Sequence, residues 1–567
     1  MGNQLSRRSF LKGGALAAAG AIGAASMAGC STESAALSET GTPSWMPEAW
    51  DYECDVLVIG YGGAGMWAAC TANDEGAEVL ILEKAPYRGG GSSSMNCGQW
   101  TYPSDADKAA TFAYEAFHHF TPKEICQAWA DEAVQNGDYA DEYGFEWDLY
   151  SNGEAHAEYD LEGSDAMIVA MDNSNGPGFF ETMDQNVKDR GIEVVFGCHD
   201  EELIQNPETG EIVGCYTLID EEGDARKAVK ARKGVIMTTG GFEFNEELKE
   251  KYLKCYPMKG FYGWKFNTGD GIKMCQKVGA DLRSMGLVMG GWSSWFNDEE
   301  IVPGGVSVCA PSNSFIWVNS IGERWRDETI SLNHGGWKIF MNFNEDYCNY
   351  DCIPSWYIFD QNCFDAGSWG DFVAGLAPEN GGLNCGYCSL PEDLGGWQGW
   401  SADNQWELER GWIKKGDTLD ELVEKINAFD ENACDMTVET LQATLDRWNK
   451  MCEAGVDEDF GRGTKEVAGP PGSPTGIAAI QGPPYYAIPI YPGLGNTLGG
   501  PARNANGEIV DCDGNAIGRL YGAGSFCNMA SHTYAITGGN NAENWCWGRI
   551  TGRNAAALAN WDAETEA

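Results

Sequence analysis

The chain has 567 residues, with 37 Lys and Arg against 85 Asp and Glu, a formal net charge of −48 at pH 7. So acidic a balance excludes nucleic acid as a partner, because binding it needs a basic surface. The chain is long enough to bury more than one core, so two or more domains are expected.

Ser6 to Lys12 read SRRSFLK and are followed by the small, apolar run Gly13 to Gly29. This pattern predicts a twin-arginine export signal rather than a membrane span, since the run is Gly- and Ala-rich and short. Met27-Ala28-Gly29-Cys30 has the form of a lipobox with Cys30 as the lipidated residue; the alternative is plain cleavage nearby. The expected organisation is a signal over 1–30 and a polar linker over 31–50. No apolar segment of 20 residues follows, so the body is not expected to span a membrane.

Asp55 to Lys84 form the most informative stretch. Val56 to Ile59 is a short apolar run of the kind that makes a buried parallel strand. Gly60, Gly62 and Gly65 follow in G-x-G-x-x-G spacing. The first glycine allows the tight turn, the second lets backbone approach a pyrophosphate, and the third lets the next helix pack closely. Gly63 and Ala64 open that helix, whose free N–H groups suit a diphosphate. A second strand, Glu78 to Leu82, ends in Glu83, placed to accept hydrogen bonds from an adenosine ribose. Lys84 follows it. Gly89-Gly90-Gly91-Ser92-Ser93-Ser94-Met95 offers small residues and hydroxyls to a flat ring, with Gly90, Gly91, Ser92 and Ser93 as the contacts; alone it would read as a flexible loop. Lys233 to Phe242, KGVIMTTGGF, is a buried strand ending in Thr239, Gly240 and Gly241, suited to closing over an adenosine. Asn267 to Leu282 gives a turn and then an amphipathic helix.

Twenty cysteines are present, and one region is dense: Cys348, Cys352, Cys363, Cys385 and Cys388. Thiolates so spaced could hold an iron–sulfur cluster; disulfides and ordinary buried thiols are the alternatives. Cys385-Gly-Tyr-Cys388 is followed by Ser389, not His, so no c-type haem is expected there.

DVLVIGYGGAGMWAA, the Glu83-Lys84 pair, GGGSSSM, VIMTTGGF, TGDGIKMCQKVGA, VNSIGERWRDE (318–328) and GRLYGAGSF (518–526) stand in one order along the chain. In that order they resemble flavoproteins of the fumarate reductase and succinate dehydrogenase superfamily, over roughly residues 51–560. The resemblance implies an α/β fold: a Rossmann-like FAD-binding domain over 51–284 and 497–567, interrupted by an α+β capping domain over 285–496. It implies FAD, with Gly524 and Asn540 among its contacts. Members that link FAD covalently place a His in the small-residue loop; its absence here implies noncovalent FAD.

The same resemblance locates what this chain lacks. The family's substrate histidine, carboxylate-binding arginine and proton-donating arginine fall on Asn496, Ile536, and Leu332 or Asn333. A buried dianion needs cationic partners, so the expected substrate is neutral at its reacting end, unless Arg324 or Arg503 has taken over the clamp. Gly482 to Ala487 with the following turn, and Ser531 to Ala535, look like 3-ketosteroid dehydrogenases of the same superfamily. Tyr486 and Tyr534 are therefore candidates for carbonyl polarisation or proton transfer, each against the plain alternative of a core aromatic. Asn333 is a candidate substrate contact, and His532 a candidate base or only a structural neighbour. The expectation is a flavin-dependent reductase of an activated C=C bond in a neutral conjugated ketone or lactone. Its alternatives are a dehydrogenase running the reverse reaction, a dicarboxylate reductase, or a binding protein that keeps FAD for structure. Electrons are expected from a separate membrane cytochrome or quinol-linked donor, since neither a haem site nor a second dinucleotide fingerprint is evident.

Overall fold

The computed structural model describes residues 45–563 apart from 221–222, 224, 261–262, 297–304, 307, 330–333, 371–399 and 465–473. The expected signal, Cys30, most of the linker, Asn333, Cys385 and Cys388 lie outside the described residues.

The apolar runs become strands: β1 (Tyr52–Ile59), β2 (Val79–Glu83), β3 (Glu193–Phe196), β4 (Lys227–Met237) and β5 (Ala516–Gly522). They lie side by side in the order β5-β4-β1-β2-β3, all parallel, with Leu57 opposite Leu80 on one side and Val235 on the other. Glu508–Val510 adds an antiparallel edge beyond β5, and the hairpin of Cys198–Gln205 and Ile212–Ile219 joins β4. Val56, Leu57, Val58 and Ile59 are all buried, which is why the run is continuous rather than alternating. The chain leaves β1 toward β2 on one side, while β4 lies on the other. The C-terminal end of β1 is thus a switch point, where open parallel sheets receive ligands.

Two helices pack on this sheet, α1 (Gly63–Asp74) and α2 (Gly539–Ala556). A Cβ at Gly548 would come 2.6 Å from Trp67 Cβ, and one at Gly552 would come 2.6 Å from the Ala68 carbonyl oxygen. Bare backbone on α2 is thus what lets the two helices touch. Trp545 fills the end of the contact, with its ring 4.8 Å from Trp67 and 4.7 Å from Trp100.

A second sheet is built around Tyr485–Leu494, which pairs antiparallel with Trp292–Trp295, Ser355–Asp360 and Lys414–Gly416. Phe315–Val318 extends it from Ser355–Asp360. Helices Leu419–Asn427 and Val438–Ala454 cover one face with Leu422, Ile426, Leu441, Leu445 and Trp448. Two short ladders stand where the chain passes between the sheets: Leu282–Arg283 with Gly500–Pro501, and Val288–Met289 with Asn496–Thr497. The architecture is α/β, a Rossmann-like parallel sheet whose chain is interrupted by the elements of the second, antiparallel sheet, the fold class that the sequence leads one to expect.

Candidate active site

A cavity of about 850 Å³, its open mouth included, lies at the C-terminal ends of β1, β2 and β4. Gly60, with φ +108°, turns the chain out of β1, and a Cβ there would sit 2.5 Å from the Thr238 carbonyl oxygen. At Gly65 a Cβ would lie 1.9 Å from the Gly60 carbonyl oxygen, so this glycine serves the turn from behind. Gly62 differs: a Cβ there would meet only Gly90 and Gly91 backbone, at 4.0 Å. The space it leaves belongs to the cavity. No side chain caps α1 and no acidic residue occupies its first turn, so its N–H groups and positive dipole end face the cavity unopposed.

Glu83 reaches the cavity from the end of β2, where its two oxygens accept hydrogen bonds from the Tyr61 and Ala85 N–H groups, both at 2.8 Å. Burial raises its pKa, and those two backbone donors act in the opposite direction. Lys84 is held by Asp270 at 2.6 Å and by Thr268 at 2.5 Å. On the far wall, Thr239 Oγ1 is buried with no hydrogen-bond partner among the described residues. Bare backbone at Gly62, an uncapped helix end, a fixed carboxylate and an orphaned hydroxyl together fit a dinucleotide cofactor.

Of the sequence-predicted contacts, Gly60, Gly62, Gly63, Ala64, Glu83 and Lys84 line this cavity, as do Gly91, Ser92, Ser93, Thr239, Gly240 and Gly524. Gly65, Gly90, Gly241 and Asn540 stand behind the wall. Gly90 donates its N–H to the Tyr61 carbonyl at 2.7 Å, and a Cβ on Gly241 would lie 2.1 Å from Thr497 Oγ1. Missed from sequence were Trp264, Asn267, Ser525 and Asn544. Asn544 donates to Ser93 Oγ at 3.1 Å and lies one helical turn past Asn540, a relation that only the helical period of α2 could have suggested.

At that end of α2, uncharged groups gather. Asn540 donates its backbone N–H to the Tyr534 hydroxyl at 3.1 Å, so the phenol oxygen accepts there and its own proton is left for another acceptor. Burial holds the Tyr534 phenol well above its ordinary pKa, hence neutral. The amide of Asn528 donates to Asn540, Asn540 to Asn496, and Asn496 to Ser525 Oγ, at 3.3, 2.9 and 2.9 Å. His334 packs edge-on against Tyr534, ring centroids 5.0 Å apart, and its Nδ1 is 2.5 Å from Glu158 Oε1. Neither His334 nor Glu158 was singled out from sequence: His334 is one residue past the expected donor position.

The two arginines that could have replaced a dicarboxylate clamp are already engaged. Arg503, buried over the Trp547 ring at 3.7 Å, is ion-paired to Glu543. Arg324 is bonded through both of its forks to Glu328 and Asp457, neither carboxylate having any exposed side-chain surface.

Two candidate side chains, Tyr486 and His532, and the cysteines are placed as follows. Tyr486 donates its hydroxyl to Gln361 at 2.6 Å and stacks between Phe359 and Phe364, so it sits as an aromatic of the second sheet with its polar end satisfied. His532 is exposed, its ring against His118 and Phe120, and is a surface neighbour. Of the five cysteines of the dense region, Cys385 and Cys388 lie outside the described residues, and among the described residues no group of three or more His, Cys, Asp or Glu is placed to hold a metal ion. Cys348 is exposed, whereas Cys352 and Cys363 are buried, and burial pushes the Cys363 thiol up to about 12.

Residues 55–542 match the family described as FAD binding domain. The chain is 28% identical to the digoxin reductase of Eggerthella lenta, with 98% of each chain covered. It is 25% identical to the 3-oxosteroid 1-dehydrogenase of Mycolicibacterium smegmatis, over 89% of this chain and 98% of that one. Among solved structures, the 3-ketosteroid delta1-dehydrogenase of Sterolibacterium denitrificans in complex with 1,4-androstadiene-3,17-dione superposes with a TM-score of 0.68 at 19% identity, covering 89% of this chain and 99% of that one. That likeness is one of fold. The chain belongs to the FAD binding domain family, and is an FAD-dependent oxidoreductase of the fumarate reductase–ketosteroid dehydrogenase group.

Proposed function

We propose that this oxidoreductase reduces the activated C=C bond of a neutral α,β-unsaturated ketone or lactone of steroid or cardiac-glycoside type, with FAD bound noncovalently. The observation that carries this is the neutral end of α2: a protonated phenol and an amide chain, with Arg324 and Arg503 bound to buried carboxylates. A dicarboxylate placed there would lack partners for its charge, at a cost of several kcal/mol. Reduced FAD supplies hydride to the β-carbon of the substrate. Glu83 would hold the adenosine ribose, the α1 N-terminus the diphosphate, and Ser92 and Ser93 the polar edge of the ring. Tyr534 would donate its proton as a hydrogen bond to the substrate carbonyl, stabilising the enolate that develops as the β-carbon is reduced. We place the cap between about residues 285 and 496. The protein would be exported by the twin-arginine route, anchored through Cys30, and supplied with electrons by a separate membrane cytochrome or quinol-linked donor.

The likeness to 3-oxosteroid 1-dehydrogenase supports a second reading, in which the same site runs in the oxidative direction. Anaerobic reoxidation of the viologen-reduced flavin, measured across neutral enones, unsaturated lactones and dicarboxylates, separates the cases. Enones or lactones should reoxidise it fastest. Fumarate winning the panel would overturn the substrate class, and rapid dye-linked oxidation of a saturated ketone with no enone reduction would favour the reverse enzyme.

A further inference from the structure

Reducing a C=C bond takes a hydride at one carbon and a proton at the other, and the second needs a donor close to the carbonyl-polarising group. In the proposed function Tyr534 is committed to the carbonyl, and the identity of the proton donor rests on that reading. We propose that His334 is the proton donor, delivering its Nε2 proton to the substrate α-carbon, with Glu158 as the positioning residue that holds its Nδ1 proton.

Three observations carry this. Of the six histidines, His118, His119, His156, His199 and His532 are exposed, and only His334 is half-buried. Its Nδ1 is taken by Glu158 Oε1 at 2.5 Å, so Nε2 is the nitrogen left for a substrate. Glu158 is a carboxylate with 4% of its side chain exposed and a second oxygen buried without a partner among the described residues. Such a group has a strong need for a cation, and an imidazolium supplies it. His334 also stands beside the Tyr534 ring, 5.0 Å between centroids. The α-carbon is bonded to the carbonyl carbon, so a donor beside the carbonyl's hydrogen-bond partner is in the right place.

The segment that carries Glu158 is tied to the site by the bridge between Ala157 and Ile536 and by the hydrogen bond between Tyr159 and Thr533 at 3.0 Å. The charged and titratable groups around the pair are Tyr534 and, on the turn Gly336–Phe340, Lys338, whose charged form Glu158 favours. Burial lowers the His334 pKa, but the charge and hydrogen bond of Glu158 outweigh it and raise the balance above the ordinary histidine value. A donor must be protonated, so activity should be full at low pH and fall as pH rises through that raised pKa.

The balance is simple. The β-carbon gains a hydride from reduced FAD, the α-carbon gains the Nε2 proton, and the C=C bond becomes single. His334 would be left neutral, its remaining proton on Nδ1 and hydrogen-bonded to Glu158, the two electrons of the hydride being those that bound, reduced FAD would supply. Its side chain is 40% exposed, so solvent can return the proton.

His334→Gln and Glu158→Gln, made in the holoenzyme, test the proposal. His334→Gln should keep its flavin and its enone-induced flavin spectral shift, yet lose about 10²–10⁴-fold in enone reduction. Glu158→Gln should move the alkaline break of the pH profile to lower pH. Independently of turnover, NMR of ¹³C-histidine-labelled oxidised protein should show one resonance, missing in His334→Gln, that titrates above the ordinary range and moves down in Glu158→Gln. A His334→Gln enzyme within threefold of the parent, or a His334 resonance that titrates identically with and without Glu158, would overturn the assignment. A parent enzyme inactive on every enone would instead bring down the functional proposal, and this one with it.

Discussion

Gly62→Ala separates the needs of the fold from those of the cofactor. Gly62 has φ −93° and ψ −172°, extended backbone that alanine adopts without strain. Its new methyl would find no protein atom nearer than 4.0 Å. The flavin-free protein should therefore fold and gain about 0.4–1 kcal/mol, because alanine has less freedom to lose from the unfolded chain. The same methyl would occupy the cavity beside the α1 N-terminus. Displacing a diphosphate there by even one charge-assisted hydrogen bond costs about 1.5–3 kcal/mol, a loss of roughly 10- to 150-fold in FAD affinity. The assay pairs urea unfolding of the flavin-free protein with a reconstitution titration followed by flavin fluorescence. Gly65→Ala is the control, since its Cβ meets the Gly60 carbonyl oxygen at 1.9 Å and should harm fold and cofactor together. Unchanged FAD affinity in Gly62→Ala would refute the placement of the diphosphate. A destabilised apoprotein would refute the claim that this glycine is there for the ligand alone.

Glu543→Ala leaves the Arg503 guanidinium buried with only the Gly522 carbonyl and Cys527 sulfur, both at 3.3 Å, and should cost about 3–5 kcal/mol in urea unfolding. Replacing both partners by Met and Leu should cost much less, and a double variant as unstable as the single would show that the pair acts otherwise. Burial raises the Glu243 carboxyl to about 7. Native protein then holds a proton that the unfolded chain releases, so stability should fall as pH rises from about 4.5 to about 7 and level off above. Glu243→Gln should flatten that slope, measured as urea midpoints of the flavin-free protein.

The nucleotide end of the molecule was legible because its signals are local. A buried run, a glycine spacing and an acid at the next strand end all fall within Asp55 to Lys84. The end proposed to take the substrate was not, because its contacts are made across long stretches of chain. Glu158 lies 176 residues before the histidine it binds, and no periodicity joins the two. Tyr486 was chosen by motif position, but its hydroxyl meets Gln361, 125 residues away, and its ring completes an aromatic stack. Arg324 and Arg503 could be counted as cations from sequence. That Asp457 and Glu543 already hold them could not, and that is what turns a plausible clamp into part of the framework.

On the proposed function, a site for a neutral substrate accounts for the row of amides at the end of α2. An amide carries both donor and acceptor, so Asn528, Asn540 and Asn496 bond in a row that ends on the Ser525 hydroxyl, without a counter-ion. A histidine in place of Asn496 would lack a counter-ion until an anion arrived; the amide row is paired before any ligand enters. Its cost of burial is therefore already met in the free enzyme, and a neutral conjugated ring can lie against it without supplying a charge. Polarising power is concentrated instead in two places: the N-terminal end of α2, which feeds the Tyr534 hydroxyl, and the His334–Glu158 pair, whose charges offset each other when the imidazole is protonated. On the proposed function, a site so arranged would favour a molecule whose charge appears only during reaction and disfavour one that arrives with charge already in place.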